Sequence, residues 1–421
     1  MFDLRKGHLI DMSKLAKIKL ICTNFIYAFR SIFWKRDKSV LLFGAWFGMK
    51  FADNPRFLYQ YLHDNKEKYN LTHVVWVTWN NQVYETLQSM GYEVYMMDSA
   101  ESIYYHKKAY AHFACDGVNG YGDLKCELLG KYSFGAKRVN LWHGFGNKAM
   151  GFVSNDYKAY EKKHPILSKM RKGIQKNGYL FRNFIYDLGG WGNCLFCAPS
   201  EESIKVMESV MAYKRNRFIK CGYARNCSTT LLENEKQIID KMKEYQYTIL
   251  YLPTFRIGYE EEKILDVAEE MKVFLQEKNI LWLQKKHSAD SSKKEQLTTK
   301  DYIVNLDTNF DINVLMPQID ILVTDYSSCS SDAMYHKKQV IYYVPDFDKY
   351  CQGSNGFIRD PESVMCGVRA NNVSELESGI IYCLSNLDTY SETYLENRQR
   401  DWEKNRNIEE VWSEISSVIY D

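Results

Sequence analysis

The sequence predicts an α/β protein of two halves, each built on a mostly parallel sheet with helices on both faces. Two observations carry this. Apolar strand-like runs alternate with helical segments from residue 40 onward, and the alternation starts again at residue 247. In addition, 421 residues are more than one hydrophobic core usually serves. The expected layout is a basic amphipathic segment over 1–38, a first domain over 39–212, a second over 213–373, and C-terminal helices over 374–421 packing back on the domains.

Composition narrows the function. The apolar share of 45% is ordinary for a globular chain, and a net charge of +2 gives no polycation to hold nucleic acid. The 11 cysteines form no repeated CxxC frame. Cys194 and Cys197 make a single C-x-x-C inside an apolar run and read as buried thiols rather than zinc ligands, which suits a reducing compartment. No run is long and apolar enough to span a bilayer, and MFDLRKGHLIDM is interrupted too early by charge for a signal peptide.

Residues 12–38 place Leu15, Ile18, Ile21, Cys22, Phe25, Ile26, Phe29, Ile32 and Phe33 at helical spacing, with lysines and arginines at both ends. Such a helix lies in an anionic membrane interface, or packs on the protein's own core with its basic residues in water; the sequence allows both. Strand-like runs follow at 40–46, 73–79, 91–97 and 110–115, with helices near 51–62 and 81–90. Asp53 or Asn54 is placed to cap the first helix, with Pro55 in its first turn. The strand at 138–142 runs into His143-Gly144-Phe145-Gly146-Asn147-Lys148. That order puts an imidazole at the sheet's carboxyl edge, where it can take a proton near neutral pH, or else bond a loop carbonyl as a structural histidine. Residues 152–190 are basic and aromatic: a solvated helical insertion, or a positive rim for lipid or polymer phosphate. The strand at 193–199 leads into a helix capped by Ser200. After 218–221 comes Gly222-Tyr223-Ala224-Arg225-Asn226, where Arg225 either contacts a phosphate or ties to a carboxylate.

In the second half, the strand at 247–252 ends in Pro253-Thr254-Phe255-Arg256, a threonine and an arginine suited to clamp a phosphate. A helix over 259–278 precedes the strand at 280–284 and Lys285-Lys286-His287-Ser288. The strand at 319–324 meets Asp325-Tyr326-Ser327-Ser328, then a helix and a strand at 340–344. Ser327 and Ser328 stand where a helix begins, so they either hold an anion with the free N–H groups or only cap the helix. Residues 374–421 read as two helices. Neither half has a G-x-G-x-x-G with a later ribose-binding acid, which argues against a nicotinamide or flavin enzyme.

Together these motifs resemble the CDP-glycerol glycerophosphotransferase family of teichoic acid primases and polymerases, with relatives in capsule synthesis. The likeness runs roughly over residues 40–395: WHGFGNK resembles WHG-x-P-x-K, GYARNC resembles GYPRND, LPTFR resembles APTWR, KKH precedes a serine where the family has proline, and DYSS is followed by Asp332 and VIYYVPDFDKY. Gly146, Ala224 and Ser288 replace family prolines. The resemblance implies a GT-B-like fold, two Rossmann-like domains facing a central cleft. It implies glycerol phosphate transfer from CDP-glycerol to a hydroxyl of a membrane-linked teichoic acid or capsular polymer precursor, releasing CMP. His143 matches the base on the acceptor hydroxyl and Lys148 its lysine. His287, Arg256, Thr254, Ser327 and Ser328 would steady the donor diphosphate, with Asp325, grouped with the two histidines as catalytic, fixing that loop or orienting a histidine. Asp332 and Asp346 match acids for cytidine or polyol hydroxyls. The implied partners are a CDP-glycerol or CDP-ribitol donor, a lipid-linked saccharide or polyol-phosphate acceptor, and an anionic membrane surface, with the enzyme peripheral at the cytoplasmic face. No cofactor and no metal are expected. The alternatives are ribitol phosphate transfer, a GT-B glycosyltransferase using a nucleotide sugar, and an inactive membrane-associated scaffold.

Overall fold

The computed structural model describes residues 2–3, 8–9, 14–116, 126–144, 146–177, 194–254, 267–285, 298–300, 302–351 and 356–421. The chain divides into two compact units. Met1–His143, Met150–Thr229 and Arg406–Asp421 form the first; Gly144–Ala149 and Thr230–Asn405 form the second.

The first unit is built on seven strands: β1 (Asp37–Phe43), β2 (His73–Thr78), β3 (Val94–Met96), β4 (Ala109–Ala114), β5 (Lys137–Asn140), β6 (Leu195–Ala198) and β7 (Phe218–Lys220). Their spatial order is β3-β2-β1-β4-β5-β6-β7 and every pairing is parallel. Val40, Leu41, Leu42 and Phe43 are fully buried, the continuous apolar run of a strand covered on both faces. Phe43 stacks on Phe113 of β4 at 4.5 Å, and Trp76 is fully buried against Phe51 and Tyr59. The strand order reverses between β1 and β4, the place where such sheets bind ligands at their carboxyl ends.

The second unit repeats the plan with β8 (Tyr247–Leu252), β9 (Ile280–Gln284), β10 (Thr298–Lys300), β11 (Ile303–Asn305), β12 (Ile321–Thr324), β13 (Gln339–Tyr343) and β14 (Val368–Ala370). The order is β10-β11-β9-β8-β12-β13-β14, parallel except for β10 against β11. Its core joins Ile249, Tyr251, Trp282, Ile321 and Val323 to Met271, Leu275, Leu376 and Ile380 from helices. Trp282 is fully buried, and its truncation to alanine would cost about 3–5 kcal/mol.

Three features differ from the sequence expectation. Residues 213–229 lie with the first unit, because β7 extends its sheet by pairing with β6. The C-terminal stretch forms three helices rather than two, Val373–Leu384, Glu392–Trp402 and Ile408–Tyr420, each opened by a side-chain cap, at Asn372, Ser391 and Asn407. They divide between the two units. Ile408–Tyr420 belongs to the first unit, where Tyr420 stacks on Tyr110 at 5.2 Å, while Glu392–Trp402 belongs to the second. Strands β10, β11 and β14 were not anticipated; each is only three residues long.

At the amino-terminal edge of the first sheet, Arg36 donates to the carbonyls of His106, Ala109, Tyr132 and Phe134. His106 and His112 are fully buried beside it. Burial pushes His106 down to about 4 and holds His112 well below the usual histidine range, with Arg36 adding repulsion to both. Both imidazoles are therefore neutral in the folded protein at neutral pH. Their folded pKa values lie below the unfolded ones, so their stabilisation is complete above about pH 6.5 and is lost as pH falls toward 4. For His106 alone the loss is roughly 3 kcal/mol. Urea unfolding should show a midpoint that drops between about pH 7 and about pH 5; an unchanged midpoint would contradict this burial.

Candidate active site

In the first unit, β5 ends at Asn140 and hands the chain to Leu141, Trp142 and His143. Trp142 holds a left-handed φ of 60°, which a bulky residue rarely adopts. The turn is held by its surroundings. Asn140 Oδ1 accepts from the Trp142 N–H at 2.8 Å, and Asn54 Nδ2 donates to the carbonyls of Leu141 at 3.2 Å and Trp142 at 2.8 Å. The imidazole of His143 stacks on Trp142 at 4.6 Å and lies 5.4 Å from the Trp46 ring. Its Nδ1 is 2.9 Å from the carbonyl oxygen of Cys115, just beyond β4. A carbonyl only accepts, so Nδ1 carries the proton and Nε2 is the basic nitrogen.

Arg225 takes the carboxylate alternative. Its guanidinium donates to Asp53 Oδ1 at 3.0 Å and to the His143 carbonyl at 2.7 Å, with both charged side chains about 95% buried. It is an internal tie of the His143 turn, because burial among these partners leaves its charge facing them rather than solvent. Asp53 does not act as a conventional cap; it is the first helical residue, at φ 63°, and accepts from Asn54 N–H and Arg225. Beyond the cap that the sequence offers at Asp53 or Asn54, the structure makes both residues ties of the His143 turn.

In the second unit, the carboxyl ends of β8 and β12 flank the reversal of strand order. Asp325 follows β12 and is 2% exposed. Both its oxygens accept the Thr254 N–H at 2.9 Å, the Thr254 hydroxyl also donates to it, and the Tyr326 N–H reaches Oδ1 at 2.5 Å. Asp325 thus ties the loop after β8 to the loop after β12. The Ser328 hydroxyl makes no capping bond to the helix Cys329–Tyr335, and Ser327 Oγ accepts only a long 3.4 Å bond from Cys329 N–H. The helix itself is braced from the C-terminal side: Trp402 Nε1 donates to the Ser331 carbonyl at 2.8 Å and Arg398 to that of Met334 at 3.0 Å. Asp332 is buried within it. Asp346 accepts from Tyr326 Oη at 3.0 Å, and the Tyr326 ring stacks on Tyr350.

Gly144–Ala149 also belong to this unit. Replacement of the family's proline by Gly146 suggests a looser loop, but the segment is pinned. Asn147 exchanges bonds with the Arg359 backbone at 2.8 and 2.9 Å, its carbonyl accepts from Ile358 N–H at 2.8 Å, and Lys148 bridges to Phe357. Gly146 approaches Ser328 so closely that a Cβ there would be 3.0 Å from Ser328 Cβ and 3.2 Å from its Cα. A side chain at this position would push Ser328 back by a few tenths of an ångström. The Lys148 ammonium is lowered from its ordinary range by burial, which the charge of Asp325 opposes. A recess lined by Asn147, Asp325, Ser327, Ser330, Arg359 and Arg400 opens here. His287 and Arg256 lie outside the described residues.

The structure therefore gathers Thr254, Asp325, Ser327, Ser328, Asp346 and Lys148 in the second unit, and His143 with Arg225 in the first. Two doubly wound parallel units with polar groups at their strand carboxyl ends define a GT-B-like transferase fold. The chain belongs to the CDP-glycerol:poly(glycerophosphate) glycerophosphotransferase family, whose model matches residues 26–415, and is an enzyme of polyol-phosphate transfer. It is 24% identical to the teichoic acid poly(glycerol phosphate) polymerase of Bacillus spizizenii, over 79% of this chain and 80% of that protein. It is 21% identical to the teichoic acid glycerol-phosphate transferase of Staphylococcus aureus, over 93% and 95% respectively. In fold it is similar to the solved wall teichoic acid polymerase TagF, with a TM-score of 0.67 at 16% identity and 96% of each chain covered.

Replacing Asp325 separates hydroxyl loss from loss of the whole tie. Thr254→Val should cost about 1 kcal/mol, whereas Asp325→Ala should cost roughly 3 kcal/mol because it strands the N–H groups of Thr254 and Tyr326. Equal denaturation midpoints for the two variants would show that the carboxylate does not organise this edge.

Proposed function

We propose that this enzyme transfers glycerol phosphate from CDP-glycerol to a hydroxyl of a teichoic acid or capsular polymer precursor held on a lipid, releasing CMP. Family membership supports the donor and the reaction class, and the Nδ1 bond of His143 to Cys115 carries the residue-level reading. With Nδ1 protonated, Nε2 takes the proton of the acceptor hydroxyl. The oxygen attacks the β-phosphorus of the donor, the bond from that phosphorus to the bridging oxygen breaks, and CMP leaves with the bridging oxygen. Little covalent work falls to the protein; positioning and charge stabilisation dominate such transfers.

The donor's diphosphate is assigned to the edge that Asp325 organises. There the Ser327 and Ser328 hydroxyls, the backbone after β12 and the Lys148 ammonium offer donors to phosphoryl oxygens, with Thr254 holding the neighbouring loop. By resemblance, Arg256 and His287 serve the same phosphates, and Asp332 and Asp346 serve the cytidine or glycerol hydroxyls. Asp325 itself is a positioning residue, since its oxygens are occupied by backbone N–H groups. His143→Ala should retain CDP-glycerol binding by calorimetry and lose about 10²–10⁴-fold in single-turnover transfer, the usual cost of removing a general base. Full transfer by a folded His143→Ala protein would defeat the assignment.

The proposed setting is the cytoplasmic face of the cell membrane, reached peripherally. Among the described residues no helix is long and apolar enough to cross a bilayer. The helix Lys14–Ser31 and the turn after it expose Phe29 at 65%, Ile32 at 73% and Phe33 at 72%, beside Arg30 and Lys35. The helix Pro165–Asn177 exposes Ile166, Leu167 and Met170 among lysines and Arg171. Apolar residues bordered by cations suit an anionic interface. Phe29→Ser combined with Phe33→Ser should weaken sedimentation with phosphatidylglycerol vesicles while leaving turnover on a soluble acceptor unchanged; undiminished vesicle binding would argue against this surface.

A further inference from the structure

A buried carboxylate that the reaction scheme does not use lies one peptide group away from His143. Glu127 is 2% exposed. Its Oε1 accepts from Trp46 N–H at 2.7 Å and from Cys115 N–H at 3.3 Å, and the Cys115 thiol lies 3.2 Å away. The Asp116 N–H reaches both of its oxygens, at 3.1 and 3.0 Å. That N–H and the Cys115 carbonyl are the two ends of one peptide group. The Cys115 carbonyl is the acceptor for His143 Nδ1 at 2.9 Å. Carboxylate, peptide and imidazole are thus joined in series.

We propose that Glu127 is a positioning residue for His143, acting through the 115–116 peptide to fix the Nδ1–H tautomer and strengthen Nε2 as a base. The inference rests on the reading of His143 as the base. A peptide is conjugated, so a carboxylate drawing on its N–H makes its carbonyl a more negative acceptor. The carbonyl then holds the Nδ1 proton more firmly and favours the imidazolium that forms when Nε2 takes the acceptor's proton. The logic is that of an aspartate bonded directly to a catalytic histidine, with one amide interposed. The same carboxylate places Trp46, whose ring flanks the imidazole. Gly44, at the end of β1, holds this arrangement closed, since a Cβ there would be 2.3 Å from the Glu127 carbonyl oxygen.

Among the described residues, Arg225, Asp116 and Cys115 are the other charged or titratable residues bonded along this series. Arg225 binds its backbone carbonyl and is itself paired with Asp53. Asp116 belongs to the relayed peptide's own residue pair. The Cys115 thiol is pushed well above its ordinary range by burial, with Glu127 adding to the effect, and stays neutral.

The test is Glu127→Gln, which keeps the shape of the side chain and removes its charge. Transfer should fall about tenfold, and the acid limb of the kcat/KM–pH profile should move down by about one pH unit, while CDP-glycerol affinity stays unchanged. In ¹⁵N NMR of labelled histidine, His143 should be the Nδ1–H tautomer in the wild type and should gain Nε2–H tautomer in Glu127→Gln. An unmoved pH profile and tautomer in the variant, with His143→Ala inactive, would overturn the relay and leave the base assignment standing. Full activity in His143→Ala would remove the base assignment itself. Should Glu127→Gln fail to fold, the wild-type spectrum decides: an Nε2–H tautomer for His143 overturns the proposal.

Discussion

At the carboxyl edge of a parallel sheet the strands run out of ladder partners, and their last N–H groups must find acceptors. Each unit meets this demand with a buried carboxylate at the reversal of strand order. In the first unit Glu127 collects N–H groups beyond β1 and β4. In the second, Asp325 collects those beyond β8 and β12. A carboxylate suits this task because it accepts several bonds at once, and bonds to a charged acceptor are stronger than neutral ones. Asp325 sets the loop that carries Ser327 and Ser328, and Glu127 sets the 115–116 peptide to which His143 bonds.

The cost of burying charge explains the rest of the local design. Asp53 is buried because Arg225 is, and Arg225 in turn holds the His143 carbonyl. The unfavourable φ of Trp142 persists because Asn54 and Asn140 bind the backbone around it. Strain of this kind survives only where neighbours over-determine the conformation. In the second unit, the tight approach of Gly146 to Ser328 and the Asn147 exchange with Arg359 define the 146–149 segment without the family's proline. The altered motif therefore keeps an ordered loop by tertiary bonding rather than by a rigid ring.

Much of this was legible in the sequence, because strand ends announce themselves. Apolar runs ending in WHG, LPT and DYSS located His143, Thr254 and the Ser327 loop, and resemblance supplied their roles. The partners that make those residues work were not legible. Glu127 is 16 residues before His143 and nothing local marks it as a ligand of backbone groups; Asn54 is 171 before Arg225, and its cap signal points to its own helix rather than to residues 141, 142 and 225. Asn147 looked like part of a flexible glycine loop, and only its contacts with Arg359 reveal an anchor. Strands β10, β11 and β14 escaped because each has three residues and, unlike the equally short β3 within 91–97, none stands in a longer apolar run. The split of the C-terminal helices between units depends on Tyr420 and Trp402 finding rings and carbonyls far away in sequence.

The central claim is that the bond broken lies between the two phosphorus atoms of the donor. The most direct measurement is transfer from CDP-glycerol labelled with ³²P at the β-phosphate, with nucleotide products separated from the acceptor. The account predicts label in the acceptor and CMP released in equal amount. Release of labelled CDP, with an unlabelled acceptor, would mean cleavage on the glycerol side of the β-phosphate and would contradict it.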